Sequence, residues 1–124
     1  MALRARRTVP GEDIALDVRA LLEMAEMFRF RWDPAILVCL AEGPLRFREL
    51  AKLVSCRIGD RLEDNALSRS LDRLQRQDLV AAEQTTLGRR IVPVYRITDL
   101  GRVHLGRYHA LVLAYQQINK EIST

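Results

Sequence analysis

Nowhere in the 124 residues does an apolar run approach the roughly 18 needed to cross a bilayer as a helix, so no membrane association is expected. The first residues, M-A-L-R-A-R-R-T-V-P-G, lack the apolar core of a secretory signal, and a cytoplasmic location is the expectation. Cysteine is scarce. Cys39 and Cys56 make no disulfide framework and no Cys-x-x-Cys pair, so a structural zinc site is not expected. His104 and His109 are the only histidines, and a spacing of five keeps them off a common helix face, so no metal is expected. A Gly-rich phosphate loop, G-x-S-x-G and H-E-x-x-H are all absent, which argues against an enzyme and against a cofactor. Asp60, Glu63 and Asp64 form an acidic cluster, but loop solubility and helix capping account for it.

Lysine is also nearly missing: of 20 basic residues, 18 are arginine, the side chain suited to bidentate phosphate or guanine contact. The net charge of +4 is unevenly spread. Residues 1–44 carry 6 basic and 7 acidic groups, residues 45–98 carry 11 and 7, and residues 99–124 carry 3 and 2. Hydrophobic residues at 48% and charged ones at 29% describe a folded chain, long enough for one domain. No repeat or low-complexity segment interrupts it.

Residues 1–11 read as a flexible basic tail with Arg4, Arg6 and Arg7, followed by a single domain over 12–124. Ile14, Val18, Leu21, Ala25 and Phe28 recur at helical spacing, which predicts a helix over 12–28 with Glu12 and Asp13 in its first turn. Its apolar surplus (Leu16, Leu22, Met24, Met27) exceeds one small core and points to burial against a second chain. Trp32-Asp33-Pro34 opens a second helix, with Asp33 as cap, Cys39 as a small buried residue and Gly43-Pro44 as the stop. Leu45-Arg46-Phe47 is a short extended piece, Arg48 to Val54 a brief helix, and Ser55–Glu63 a long polar connection holding Cys56.

The most informative stretch is D-N-A-L-S-R-S-L-D-R-L-Q-R-Q, from Asp64 to Gln77. Leu67, Leu71 and Leu74 form one apolar stripe. The opposite face collects Asn65, Arg69, Asp72, Arg73 and Arg76, with Ser68 on the flank and Asp64 or Asn65 as N-cap. Guanidinium forks beside small amide and hydroxyl groups suit the major groove of double-stranded DNA. Thereafter the period changes to strands at 79–84 and 91–97 around T-T-L-G-R-R, with Pro93 implying an edge or a bulge. Thr98 caps a last helix over 99–121, whose Leu105, Tyr108, Val112, Tyr115 and Ile122 follow a heptad track with Asn119.

This order predicts a mainly α chain with a small β-hairpin (α+β), a winged helix-turn-helix with helix-turn-helix 48–77 and wing 79–98. Asn65, Ser68, Arg69 and Arg73 would face the major groove, with Arg76 on backbone. Arg89 and Arg90 would act from the wing, and Arg46, Arg48 and Lys52 would touch flanking phosphates. The terminal helices would build a homodimer through Ile14, Val18, Leu21, Phe28, Tyr108, Val112, Tyr115 and Ile122. A small-molecule effector, if one acts, would sit in a pocket between them. A winged helix that binds protein rather than DNA is the alternative, favoured by Asp72 and the modest net charge.

The residues W-D-P-A-I-L-V-C-L-A-E-G-P-L-R-F-R-E-L (Trp32 to Leu50) resemble the HxlR-type winged-helix transcriptional regulators. The leucine spacing at 67, 71 and 74, the Leu79-Val80 strand start and Y-R-I-T-D-L-G-R (Tyr95 to Arg102) extend the resemblance over about Met24 to Arg107. It implies DNA-binding repression or activation as a dimer. Three departures stand out: the long Leu53–Leu67 connection, Pro93-Val94 in the last strand, and no cysteine upstream of Trp32. The resemblance therefore does not carry over a thiol switch.

Overall fold

Three leucines on one helix need partners, and the neighbouring helices supply them. The computed structural model describes residues 14–123, with side chains from residue 17 onward. Its elements run α1 (Ile14–Met27), α2 (Asp33–Leu40), β1 (Leu45–Arg46), α3 (Phe47–Ile58), α4 (Asp64–Arg76), β2 (Val80–Leu87), β3 (Arg90–Ile97) and α5 (Asp99–Ser123). Ile36, Leu37 and Leu40 of α2, Leu50 and Val54 of α3 and Leu67, Leu71 and Leu74 of α4 are all buried in one cluster. Each such side chain contributes about 1.5–3 kcal/mol by leaving water. Cys39 lies in this cluster as expected, and burial raises its thiol pKa.

The turn between α3 and α4 is shorter than the sequence suggests. Helix α3 continues through Ser55-Cys56-Arg57-Ile58, where nothing breaks it, until Gly59 stops it with φ 77°. The Gly59 N–H bonds the Ser55 carbonyl at 2.9 Å. The connection is therefore Gly59–Glu63, and it is pinned: Leu62 is buried and its N–H donates to Ser55 Oγ at 2.9 Å. Arg57 forks onto Glu42 across the helix pair, with Nη2 to Oε1 at 2.7 Å, and this holds the Glu42 carboxyl below the usual range. Cys56 is exposed.

Helix α4 ends in a Schellman motif: Leu79 N–H reaches the Leu74 carbonyl and Asp78 N–H the Gln75 carbonyl. Asp78 occupies the left-handed position at φ 59°, where glycine is the unstrained choice. Its carbonyl accepts from Thr98 Oγ1 at 2.6 Å, and Thr98 Oγ1 in turn caps α5 by accepting from Gly101 N–H at 2.9 Å. The Gly of T-D-L-G has a steric cause: a Cβ on Gly101 would strike the Leu79 carbonyl oxygen and lie 2.6 Å from Ile97 Cγ1.

The antiparallel sheet has order β1-β3-β2. β3 is thus its central strand, and the pairing from Val80↔Ile97 to Leu87↔Arg90 is continuous, so no bulge forms at Pro93. Pro93 is tolerated because β1 reaches only Tyr95 and Val94, leaving β2 as its sole neighbour at that level. The strands also run further than expected, so T-T-L and Arg90 are in the ladder and only Gly88-Arg89 turns. Phe47, read as extended, begins α3.

The terminal helices are built differently. Of the described side chains on α1, only Met24 and Met27 are even half-buried, while Val18, Leu21 and Leu22 are exposed. Beyond Leu111 every described residue of α5 faces solvent, including Val112, Tyr115, Ile118 and Ile122. One anchor joins the two: Tyr108 is buried, packs on the Phe28 ring at 5.1 Å and donates to the Met27 carbonyl at 2.6 Å. Tyr108 is therefore committed within its own chain, which corrects its assignment to a contact between chains. Glu12, Asp13 and the Ile14 side chain lie outside the described residues.

Candidate nucleic-acid interface

The outward side of α4 is defined by what the leucine stripe leaves over. Asn65, Ser68, Arg69, Asp72 and Arg76 are all exposed. Arg69 and Arg76 have no ionic or hydrogen-bonding partner among the described residues. Two residues of the helix depart from the expected pattern. Arg73 turns inward. Its Nε and Nη2 bond the two Asp33 carboxylate oxygens at 3.1 and 2.9 Å, Nη2 also reaches Ser70 Oγ at 3.0 Å, and its Cζ sits 3.6 Å from the Phe30 ring centre. At about 100° per residue Arg73 lies only about 40° from Arg69, so spacing does not set it apart; the bonds to Asp33 and Ser70 do, and they take it out of the groove-facing set. Asp64 is no cap either: Glu63 holds the N-cap position without a side-chain bond, and Asp64 receives Arg48 Nη1 and Nη2 at 3.0 and 2.9 Å.

Asp33 consequently does not cap α2. Trp32 occupies that N-cap without a side-chain bond, and Pro34 is within its first two positions, as expected. The carboxylate that would have capped instead meets Arg73, a partner 40 residues away that no local spacing rule reveals.

Near the start of α3 the basic residues divide. Arg46 pairs with Glu49 at 3.3 Å while its backbone N–H bonds Glu49 Oε1 at 2.8 Å, and Arg48 pairs with Asp64. Lys52 is exposed and unpaired among the described residues. Pairs this exposed are worth about 0–1 kcal/mol and exchange readily with other anions. At the wing, Gly88 takes φ 65° at the first of two turn positions, where a type II′ turn requires it. Arg89 and Arg90 stand at that tip, exposed and without partners among the described residues. Arg96, nearer the wing base, is spent on Glu83 at 2.7 Å.

Between α1, α4 and α5 lies a cleft of about 600 Å³, lined among others by Glu23, Met27, Phe30, Leu74, His104 and Tyr108. Burial, then the nearby Arg107 charge, lowers the His104 pKa, and the imidazole packs edge-on to Tyr108 at 5.0 Å. The described residues contain no cluster of metal-ligating side chains, and no helix among them is long and apolar enough to cross a membrane.

A comparison with curated proteins finds no sequence match. Solved structures do match in fold. A protein of Enterococcus faecalis assigned to the MarR family of transcriptional regulators superposes with TM-score 0.70 at 14% identity, over 97% of this chain and 98% of that one. The transcriptional regulator YodB of Bacillus subtilis, in its reduced form, gives 0.63 at 17% identity over 90% and 94%. PadR of Bacillus subtilis, solved with operator DNA, gives 0.57 at 20% identity over 61% of this chain; the match spans only 45% of PadR. The family and these neighbours are transcriptional regulators and not enzymes. Residues 27–118 match the model of the HxlR-like helix-turn-helix family, and the chain belongs to that family.

Proposed function

We propose that this chain is a sequence-specific DNA-binding transcriptional regulator acting in the cytoplasm as a homodimer, with α4 in the major groove and the β2–β3 hairpin on backbone or minor groove. The observation that carries the reading is the sorting of the arginines. Within residues 45–98, Arg46, Arg48, Arg57, Arg61, Arg73 and Arg96 are paired within the chain, while Arg69 and Arg76 on α4 and Arg89 and Arg90 at the wing tip stand free among the described residues. An unpaired guanidinium binds phosphate or guanine without first giving up a carboxylate. The operator-bound PadR neighbour and the family's helix-turn-helix are consistent with this.

In this reading Asn65, Ser68 and Arg69 meet base edges and Arg76 the backbone. Lys52 contacts flanking phosphate, as do Arg46 and Arg48 once they exchange their carboxylates for DNA. Residues 12–124 act as one domain. Exposed Val18 and Leu21 on one terminal helix, and Val112, Tyr115 and Ile122 on the other, are the surface a second copy covers. Phe28, half exposed beside Tyr108, closes the edge of that contact. The cleft beneath these helices is the seat an effector would take. A salt-titrated mobility shift with genomic fragments tests the proposal. Retardation that weakens steeply with salt supports it. No retardation at low salt by a folded dimer overturns it and leaves the protein-binding winged helix, for which exposed Asp72 on α4 speaks.

A further inference from the structure

The outer face of α4 aims correctly only if the helix cannot roll about its own axis. A stripe of leucines decides which face of α4 turns inward, but apolar contact is non-directional and fixes the exact roll only loosely. A guanidinium fork on a fixed carboxylate is directional. Helix α4 has one such fork on its inner flank: Arg73, held by Asp33 through two bonds, braced by Ser70 Oγ and stacked over Phe30. The cluster is shielded, with Ser70 at 1% exposure, Asp33 at 6% and the Arg73 side chain at 20%. A carboxylate so placed, stripped of its partner, is costly, so the pair persists as a unit. Arg69 lies four residues before Arg73, one helical turn away, and its direction follows from that anchor.

We infer that Asp33 is a positioning residue for DNA recognition: it never meets DNA, but through Arg73 it sets the roll of α4 and hence where Arg69 and Asn65 point. The inference rests on the DNA-binding reading above. Side chains reach ~6 Å from a helix axis, so a roll of ~10° displaces their ends by ~1 Å, enough to loosen a bidentate base contact.

The test uses the full chain with DNA selected from a random pool, comparing wild type, Asp33→Asn, Arg73→Met and the double variant. Asp33→Asn is expected to lower the ratio of selected to random DNA affinity by about five- to hundredfold, with random-DNA affinity and its salt dependence unchanged. Arg73→Met should match it, and the double variant should lose no more than either single change. Amide exchange across residues 68–76 should quicken in Asp33→Asn while circular dichroism holds. Should Asp33→Asn fail to fold, Arg73→Lys, which keeps the charge and gives up the fork, carries the same expectations. A wild-type ratio and wild-type exchange in Asp33→Asn overturn the inference. So does an Arg73 variant that weakens binding to every sequence while Asp33→Asn does not, since Arg73 would then touch phosphate itself. If wild type selects no DNA, the functional reading fails, and the exchange measurement alone decides the role of Asp33.

Discussion

Helices α4 and α5 announce themselves in the same way, by apolar residues repeating at helical spacing, yet they end in opposite situations. On α4 the stripe of Leu67, Leu71 and Leu74 is buried against α2 and α3. On α5 only Gly101 and Tyr108 are buried, and Val112, Tyr115, Ile118 and Ile122 remain in water. With 25 residues, α5 is ~37 Å long at 1.5 Å per residue, and the neighbouring elements cover only its first part. The difference teaches that periodicity reports a face seeking cover and not the identity of the cover. In the proposed reading, the polar side of α4 is what remains for DNA and the apolar side of α5 what remains for another copy of the chain.

Substitutions can break this comparison at either end. The largest effect is expected inside: Leu71→Ala should cost about 2–5 kcal/mol in urea unfolding. A loss below 1 kcal/mol would mean that the α4 stripe is not the closed core described. Tyr115→Glu, on the open end, should leave the protomer folded but weaken self-association by at least about tenfold, a change of about 1.4 kcal/mol read by sedimentation velocity. An unaltered dimer would remove α5 from the contact.

At the hinge between the two regimes is Tyr108. Burial first, and the Asp33 charge second, push its phenol pKa up to about 12 from the ordinary 10.0. The neutral form is thus favoured in the fold. The stability this contributes is fully present below pH 10 and is lost as pH rises through about 12. Tyr108→Phe should lose the Met27 bond, about 1 kcal/mol, and flatten this alkaline limb in thermal melts from pH 9 to 12. The smallest effect sharpens the end of α4: Asp78→Gly should stabilise by about 0.5–1 kcal/mol, because it relieves a left-handed aspartate. Destabilisation there would mean the aspartate side chain itself is needed.

The elements were legible because their signals are local. The leucine stripe of α4, the Thr98 cap and the Gly88 turn depend on residues within a few positions of each other. What failed to show was long-range. Asp33 looked like a cap because capping is a local habit of aspartate before proline, whereas its partner Arg73 lies 40 residues on. Asp64 looks like a cap for the same reason, its partner Arg48 being 16 residues back. Ser55–Glu63 read as loop because its residues are polar, although only Gly59 is a helix terminator. Among the basic residues proposed for DNA, the sequence makes them all alike; only the fold separates Arg69 from Arg73.

The sorting of free from paired arginines is open to a single measurement: the slope of log affinity for random-sequence DNA against log salt, for wild type and for Arg89→Ala with Arg90→Ala. The free wing-tip arginines should each account for about one unit of slope, so the double variant binds with a slope shallower by about two. Arg57→Ala, which removes a paired arginine, should leave the slope where it was. An unchanged slope in the wing variant, or an equal fall in Arg57→Ala, would contradict the account.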